Sequence, residues 1–342
     1  MASRNNERRK SATGAVPTDC ECGCGGTGEW VAREDLTDYL ESHLTADDHI
    51  AMRDCLEREA RGDAAGALQS YRRSLHVPGL PHAVMLETLA LLGDAAPPWA
   101  LGRWVRAQAW MRTLAGGSLI VDEAVKGALV TCFDVSKMDR RTLREIATTA
   151  AASNFVAEEI GLFDRRQLAH FVKNDLAAEL HCRAPDLRMW ADEPLEVYRY
   201  EAVNGHWLVV RDVRHDVRRL AYDVGSLDGC SIGDHVLGRV VPDGGGRAIF
   251  DTRPMPIDPK TAERMTADDS GDIAWRLEWR RHIFEARVEG RLPDGCGRCE
   301  SHILSDRPVG QDDRVSGFPG LIRLLEWSPL DAGGSDDRSR HS

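Results

Sequence analysis

Leu195-Glu196-Val197-Tyr198-Arg199-Tyr200-Glu201-Ala202-Val203-Asn204-Gly205-His206-Trp207-Leu208-Val209-Val210-Arg211-Asp212-Val213 sets two alternating runs on either side of Asn204-Gly205. Alternation puts every second side chain on one face of a strand. Asn-Gly between two such runs is a strong hairpin signal, because a type I′ turn needs positive φ at both central residues. The stretch predicts an antiparallel hairpin turned at Asn204-Gly205.

Toward the C-terminus the strand signal repeats. Val217–Val224 follows the polar turn Arg214-His215-Asp216. His235–Val241 follows Gly233-Asp234 and stops at Pro242-Asp243-Gly244-Gly245-Gly246, and Arg247–Asp251 and Met255–Ile257 supply further edges. So many short strands predict a small antiparallel β-barrel or a strongly bent sheet, since closure removes exposed edges. Pro259–Ala267 and Asp269–Gly290 then return to helical period. The longer of the two carries Trp275 and Trp279 at i, i+4, with Ile273, Leu277, Ile283 and Phe284. Two apolar faces predict a helix that docks the sheet onto the rest of the protein.

Toward the N-terminus the period is helical from about Ala32 to Cys182. The expected helices are Asp47–Gly62, Ala64–Val77, Pro81–Leu92, Pro98–Leu114, Leu119–Phe133, Arg141–Ile160 and Arg165–Cys182. The expected class is α+β: a helical N-terminal domain, then a small antiparallel β-barrel or bent sheet, then a docking helix. By residue, 1–30 form a disordered arm with a Cys/Gly-rich motif, 31–184 the helical domain and 185–258 the barrel. Residues 259–330 hold the docking helix and a Cys-containing tail, and 331–342 are disordered.

Two local resemblances accompany this reading. Glu59-Ala60-Arg61-Gly62-Asp63-Ala64-Ala65-Gly66-Ala67-Leu68-Gln69-Ser70-Tyr71-Arg72-Arg73-Ser74-Leu75 resembles one tetratricopeptide-type helical hairpin, with a small residue and Gly at the turn, then Ala-Leu, an aromatic and Leu. Leu208-Val209-Val210-Arg211-Asp212 and Gly233-Asp234-His235-Val236-Leu237-Gly238-Arg239-Val240-Val241 resemble the small β-barrel of uncharacterised bacterial proteins that carry a cysteine-rich metal-binding tail. The first covers about a tenth of the chain and the second about a fifth.

The chain has 342 residues, 42% of them hydrophobic and 29% charged, which is enough apolar material for a packed core. Its net charge of −11 argues against a non-specific nucleic-acid coat, which needs surplus cations. Only Lys10, Lys126, Lys137, Lys173 and Lys260 are lysine; the other 39 cations are arginine, so lysine chemistry has few places to occur. The basic stretch Met1–Lys10 is followed by no apolar run, and no run of about 18 apolar residues occurs, so a cytoplasmic protein without a membrane span is expected.

Reduced thiols in clusters point to metal before disulfide. Cys22 and Cys24, with Cys296 and Cys299, form two close pairs beside glycines, and together they would make a tetrahedral thiolate site suited to zinc. Cys20 and His302 are spare ligands. Such a site would bring the two ends of the chain together. Cys55, Cys132, Cys182 and Cys230 stand alone and read as small buried apolar residues. His76 and His82 flank the turn Pro78-Gly79-Leu80-Pro81, and the adjacent acids Glu158 and Glu159 read as a solvated pair. Arg211, Arg214, Arg218 and Arg219 crowd one hairpin and are candidates for an anion or nucleic-acid backbone. There is no Gly-x-x-x-x-Gly-Lys-Ser/Thr, no Gly-x-Ser-x-Gly and no His-Glu-x-x-His.

The expectation is a non-enzymatic cytosolic interaction or regulatory protein with a structural zinc site and a protein partner. The alternatives are nucleic-acid association through the Arg-rich hairpin and a metal-dependent hydrolase, which would need a zinc with an open position.

Overall fold

A computed structural model describes residues 45–73, 81–115, 119–140, 142–143, 146–147, 150, 154–227, 230–267 and 271–292. The fold is α+β, as expected: helices occupy the N-terminal half, an antiparallel sheet follows, and helices close the described chain. No helix among the described residues is long and apolar enough to cross a membrane.

Helices α1 (Ala46–Ala60) and α2 (Ala64–Arg73) form the first hairpin. Thr45 caps α1: its hydroxyl accepts from the Asp48 amide at 3.2 Å, and the Asp48 carboxylate accepts from the Thr45 amide at 2.7 Å. Gly62 turns the chain at φ +79°, where a side chain would also meet Leu180. Helices α3 (Pro81–Leu92), α4 (Pro98–Ala115) and α5 (Leu119–Cys132) follow. Trp99 and Trp104, both on α4, are almost wholly buried, which places α4 at the centre of the helical layer.

Two expected helices are interrupted. Asn154 breaks Arg141–Ile160, because its side chain accepts from the amides of Val156 (2.9 Å) and Ala157 (3.2 Å) and starts a new helix. That helix, α6 (Phe155–Glu158), runs on as a π-helical turn over Glu159–Asp164. Arg165–Cys182 is likewise divided, into α7 (Gln167–Asn174) and α8 (Ala178–Arg183), and α9 (Leu187–Trp190) leads into the sheet.

Strands β1 (Glu196–Asn204), β2 (Trp207–Asp212), β3 (Val217–Tyr222), β4 (His235–Gly238) and β7 (Met255–Ile257) make one sheet in the order β3-β2-β1-β4-β7, every neighbour antiparallel. The sheet is open, so the bent-sheet form of the expectation holds and the closed barrel does not. The physical reason lies at Arg239. The expected strand His235–Val241 splits there, and β5 (Val240–Pro242) leaves the sheet to pair with β6 (Ala248–Phe250) in a separate ribbon. The Arg239 side chain turns into the helical layer, and Trp190 Nε1 donates to the Pro242 carbonyl at 2.7 Å.

The β1–β2 hairpin is in the expected place with a different turn. Asn204 pairs with Trp207, so the loop is Gly205-His206. Gly205 has φ +61° and His206 keeps a negative φ, as in a type II′ turn, which takes Gly first.

Side chains alternate across the sheet. Tyr198, Tyr200, Leu208, Val210 and Val236 pack with Val240 and Phe250 of the ribbon. Val197 and Leu237 face the other way and join a large apolar cluster that runs from Cys55 through Trp104 to Met265. The apolar core thus continues across the change from helix to strand. Helices α10 (Pro259–Ala267) and α11 (Gly271–Val288) complete it with Met265, Trp279 and Ile283. The expected docking helix contacts α5 directly, Arg287 Nε donating to the Thr131 carbonyl at 3.1 Å.

Gly102 marks how tightly α4 meets this junction: a Cβ there would lie 2.5 Å from the Trp190 ring. Gly102→Ala gains helix propensity of about 1 kcal/mol but must displace a packed indole, at a cost of about 1–3 kcal/mol. We expect a net loss of stability, read as a lower urea midpoint. A raised midpoint would show that the indole yields freely.

Candidate functional site

Cys55 and Glu59 are i, i+4 on α1, so both point to one face of the helix, toward α4. His82 enters from the second position of α3. Together they place a thiol, a carboxylate and an imidazole so that one donor atom of each lies within 4.8 Å of the others. His82 Nε2 is 3.3 Å from Glu59 Oε2, and Cys55 Sγ donates to the same oxygen at 3.9 Å. The other carboxylate oxygen, Oε1, accepts from Trp104 Nε1 at 2.7 Å. The edge of the His82 ring meets Tyr71, with centroids 5.8 Å apart.

Cys55 and Glu59 are almost completely buried, and a quarter of the His82 side chain is exposed. Burial first, then the Glu59 and Asp54 carboxylates, push the Cys55 thiol up to about 12. It is therefore a neutral thiol unless a cation stabilises its anion. A Cys/Glu/His donor set suits zinc, whose bonds of about 2.0–2.3 Å put tetrahedral donors roughly 3.3–3.8 Å apart. The described separations of 3.3 and 3.9 Å are close to that range.

This cluster was missed in the sequence. Cys55 read as an isolated apolar residue and His82 as a turn residue, whereas His82 is helical and faces Glu59. The available signal was Cys55-x-x-x-Glu59 at helical spacing. Of the other cysteines read as isolated, Cys132 is buried but disulfide-bonded rather than a free thiol, Cys182 is exposed rather than buried, and Cys230 is partly buried. The expected thiolate set Cys22, Cys24, Cys296 and Cys299, with Cys20 and His302, lies outside the described residues.

The four hairpin arginines lie together, but each faces carboxylates. Arg211 on β2 is directly opposite Arg218 on β3, a like-charge pair that is unfavourable alone. A β-bulge between Tyr200 and Ala202 leaves Glu201 as the extra residue, and it bonds both: Arg211 Nε donates to Oε1 at 2.6 Å and Arg218 Nε to Oε2 at 2.7 Å. These hydrogen bonds, that from Arg211 foremost, hold the Glu201 carboxyl below its usual range. Arg211 also bonds Asp216 at 2.6 Å. Arg219 lies 3.6 Å from both Glu193 and Asp212, and Arg214 lies 3.9 Å from Glu196. The hairpin presents matched charges rather than a bare cationic strip.

The acids expected to be solvated are largely enclosed. Glu159 is 1% exposed and accepts from Arg239 Nη2 at 2.7 Å, while Glu158 accepts from Arg106 Nη1 at 2.6 Å. No protein-family model matches this chain, and neither the curated proteins nor the solved structures contain a match to it.

Proposed function

We propose that the chain is a non-enzymatic interaction protein whose helical layer is fastened by a zinc ion on Cys55, Glu59 and His82. One observation carries this reading. Three donors of different chemistry, from two helices, converge on one point, and the carboxylate among them is already oriented by an indole N–H. Metal ligands are commonly held by such an outer hydrogen bond. A staple between α1 and α3 would contribute folding free energy outright. The near-complete burial of Cys55 and Glu59 favours a structural ion over a reacting one.

The test is elemental analysis of the purified full chain and two sets of variants. Cys55→Ala and His82→Ala are expected to lose the zinc. The combined Cys22→Ser, Cys24→Ser, Cys296→Ser and Cys299→Ser variant is expected to keep it. Zinc kept in the first set and lost in the combined variant would move the site to the paired cysteines and overturn this proposal. So would a metal-free wild-type protein that takes up no zinc on titration.

A further inference from the structure

A cavity of about 300 Å³ lies at the start of β1, between the π-helical turn, the segment 191–196, the β2–β3 turn and α11. That volume is at the lower end of the range for small-molecule sites, ~300–1,000 Å³. Pro194, Leu195 and Trp279 give it apolar walls, and Glu196 and His215 give it a polar end.

Glu196 is 4% exposed, and its Oε2 has no hydrogen-bond partner among the described residues. The Arg214 guanidinium stands 3.9 Å from that oxygen, and its Nη2 donates to the Met265 carbonyl at 3.3 Å. Burial, then the neighbouring Asp212 carboxylate, raise the Glu196 carboxyl above its ordinary range, with Arg214 opposing the rise. A buried polar oxygen left without a partner is unfavourable, so a molecule that bonds it is favoured.

What stands beside Oε2 selects the charge of that molecule. The Arg214 guanidinium opposes an ammonium or a metal ion there. An anion would meet the Glu196 carboxyl together with Asp212, which is wholly buried; its Oδ1 accepts from the His215 amide and its Oδ2 lies against His215 Nδ1, both at 3.0 Å. Neither objection applies to a neutral group. The proton on Glu196 narrows the choice further. An ionised carboxylate only accepts, whereas a protonated carboxyl can donate, so a neutral group that both donates and accepts bonds either form. A primary carboxamide does so with separate atoms, an N–H to donate and a carbonyl to accept, and the carbonyl end is favoured on the side of the guanidinium.

We infer that this cavity binds a small neutral carboxamide with a hydrocarbon body, whose amide group pairs with Glu196 and whose carbon skeleton lies against Leu195 and Trp279. Cys55, Glu59 and His82 do not line the cavity, so the inference stands apart from the zinc proposal. The apolar walls account for binding of the body, and the buried Glu196 oxygen accounts for the choice of polar group.

The experiment is calorimetric titration of the full chain near neutral pH with four probes on one phenyl body: phenylacetamide, methyl phenylacetate, phenylacetate and phenethylammonium. The ester is neutral and accepts but cannot donate, and the last two carry opposite charges. The amide is expected to bind more tightly than each of the others by about tenfold or more, since a site that bonds an N–H rejects an analogue without one. Glu196→Leu is expected to lose that margin. Glu196→Gln, whose own amide donates and accepts, is expected to keep it. The comparison on the wild-type protein decides the matter even if a variant does not fold. Binding of the ester as tight as that of the amide would reduce the cavity to an apolar pocket, and equally tight binding of either ion would give its polar end a charge preference; each result would overturn the inference. So would no binding of phenylacetamide, an unchanged margin in folded Glu196→Leu, or a lost margin in folded Glu196→Gln.

Discussion

Replacing Arg239 by alanine is expected to lower the unfolding free energy by about 3–5 kcal/mol, the range for stranding one member of a buried ion pair. Arg239 is the residue at which the chain leaves the main sheet. Its Nη2 and Nε donate to Glu159 Oε2 at 2.7 and 3.2 Å, its Nη1 donates to the Glu193 carbonyl, and its face stacks on Phe163. Alanine removes all of these and leaves Glu159, 1% exposed, without its guanidinium. Arg239→Lys should recover only part of the loss, because an ammonium cannot reproduce the planar fork and the stacking. In the double variant Glu159→Gln/Arg239→Met no carboxylate is stranded, so it should be more stable than Arg239→Ala. Urea denaturation of the four proteins measures each step. A cost below 1 kcal/mol for Arg239→Ala would show that water reaches Glu159 readily.

The same pair makes stability depend on pH. Burial raises the Glu159 carboxyl from its ordinary 4.5 to about 7, with Arg239 opposing the rise. Between those values the folded protein holds a proton that the unfolded chain has released. Stability contributed by this group is therefore present below pH 4.5 and declines as pH rises toward 7. Glu159→Gln should flatten that decline, and thermal midpoints across the interval test it. An unchanged slope would assign the dependence to other carboxyls.

How much of this was legible follows from the range of each interaction. The β1–β2 hairpin was readable because alternation and Asn204-Gly205 are local. The turn type was not, since Gly205 or Asn204 could each lead the loop, and the pairing of Asn204 with Trp207 chose Gly205. Helix α1 was readable from its period. The break at Asn154 was less so, because an Asn in an apolar stripe serves equally as a solvated residue or as a cap. Barrel closure was misread because Gly238-Arg239-Val240 alternates like an uninterrupted strand; what bends it is a carboxylate 80 residues away. The zinc candidate follows the same logic. Cys55 and Glu59 are neighbours on one helix, but His82 and Trp104 reach them only through packing. Hairpin charge was visible as four arginines, yet Glu201, which neutralises two of them, is aimed by a bulge that no short-range pattern announces.

Trp104 joins the core to the metal candidate, and its substitutions should separate the two roles. The side chain is wholly buried on α4, and its Nε1 is the donor to Glu59 Oε1. Trp104→Ala removes a large aromatic from a packed interior and is expected to cost about 3–5 kcal/mol. Trp104→Phe keeps most of the apolar bulk and deletes the N–H, so it should cost about 1–3 kcal/mol, the penalty for an unsatisfied buried acceptor. If Glu59 is a zinc ligand, losing this orienting bond should also weaken zinc by about 10–100-fold. The two effects then couple. In zinc-loaded protein the ion supplies Glu59 with a cation, so the stability cost of Trp104→Phe should differ between the loaded and zinc-free forms by the same free energy as the change in affinity. Equal costs in both forms, with unchanged zinc affinity, would reduce Trp104 to a core residue and leave Glu59 as a carboxylate held by hydrogen bonds alone.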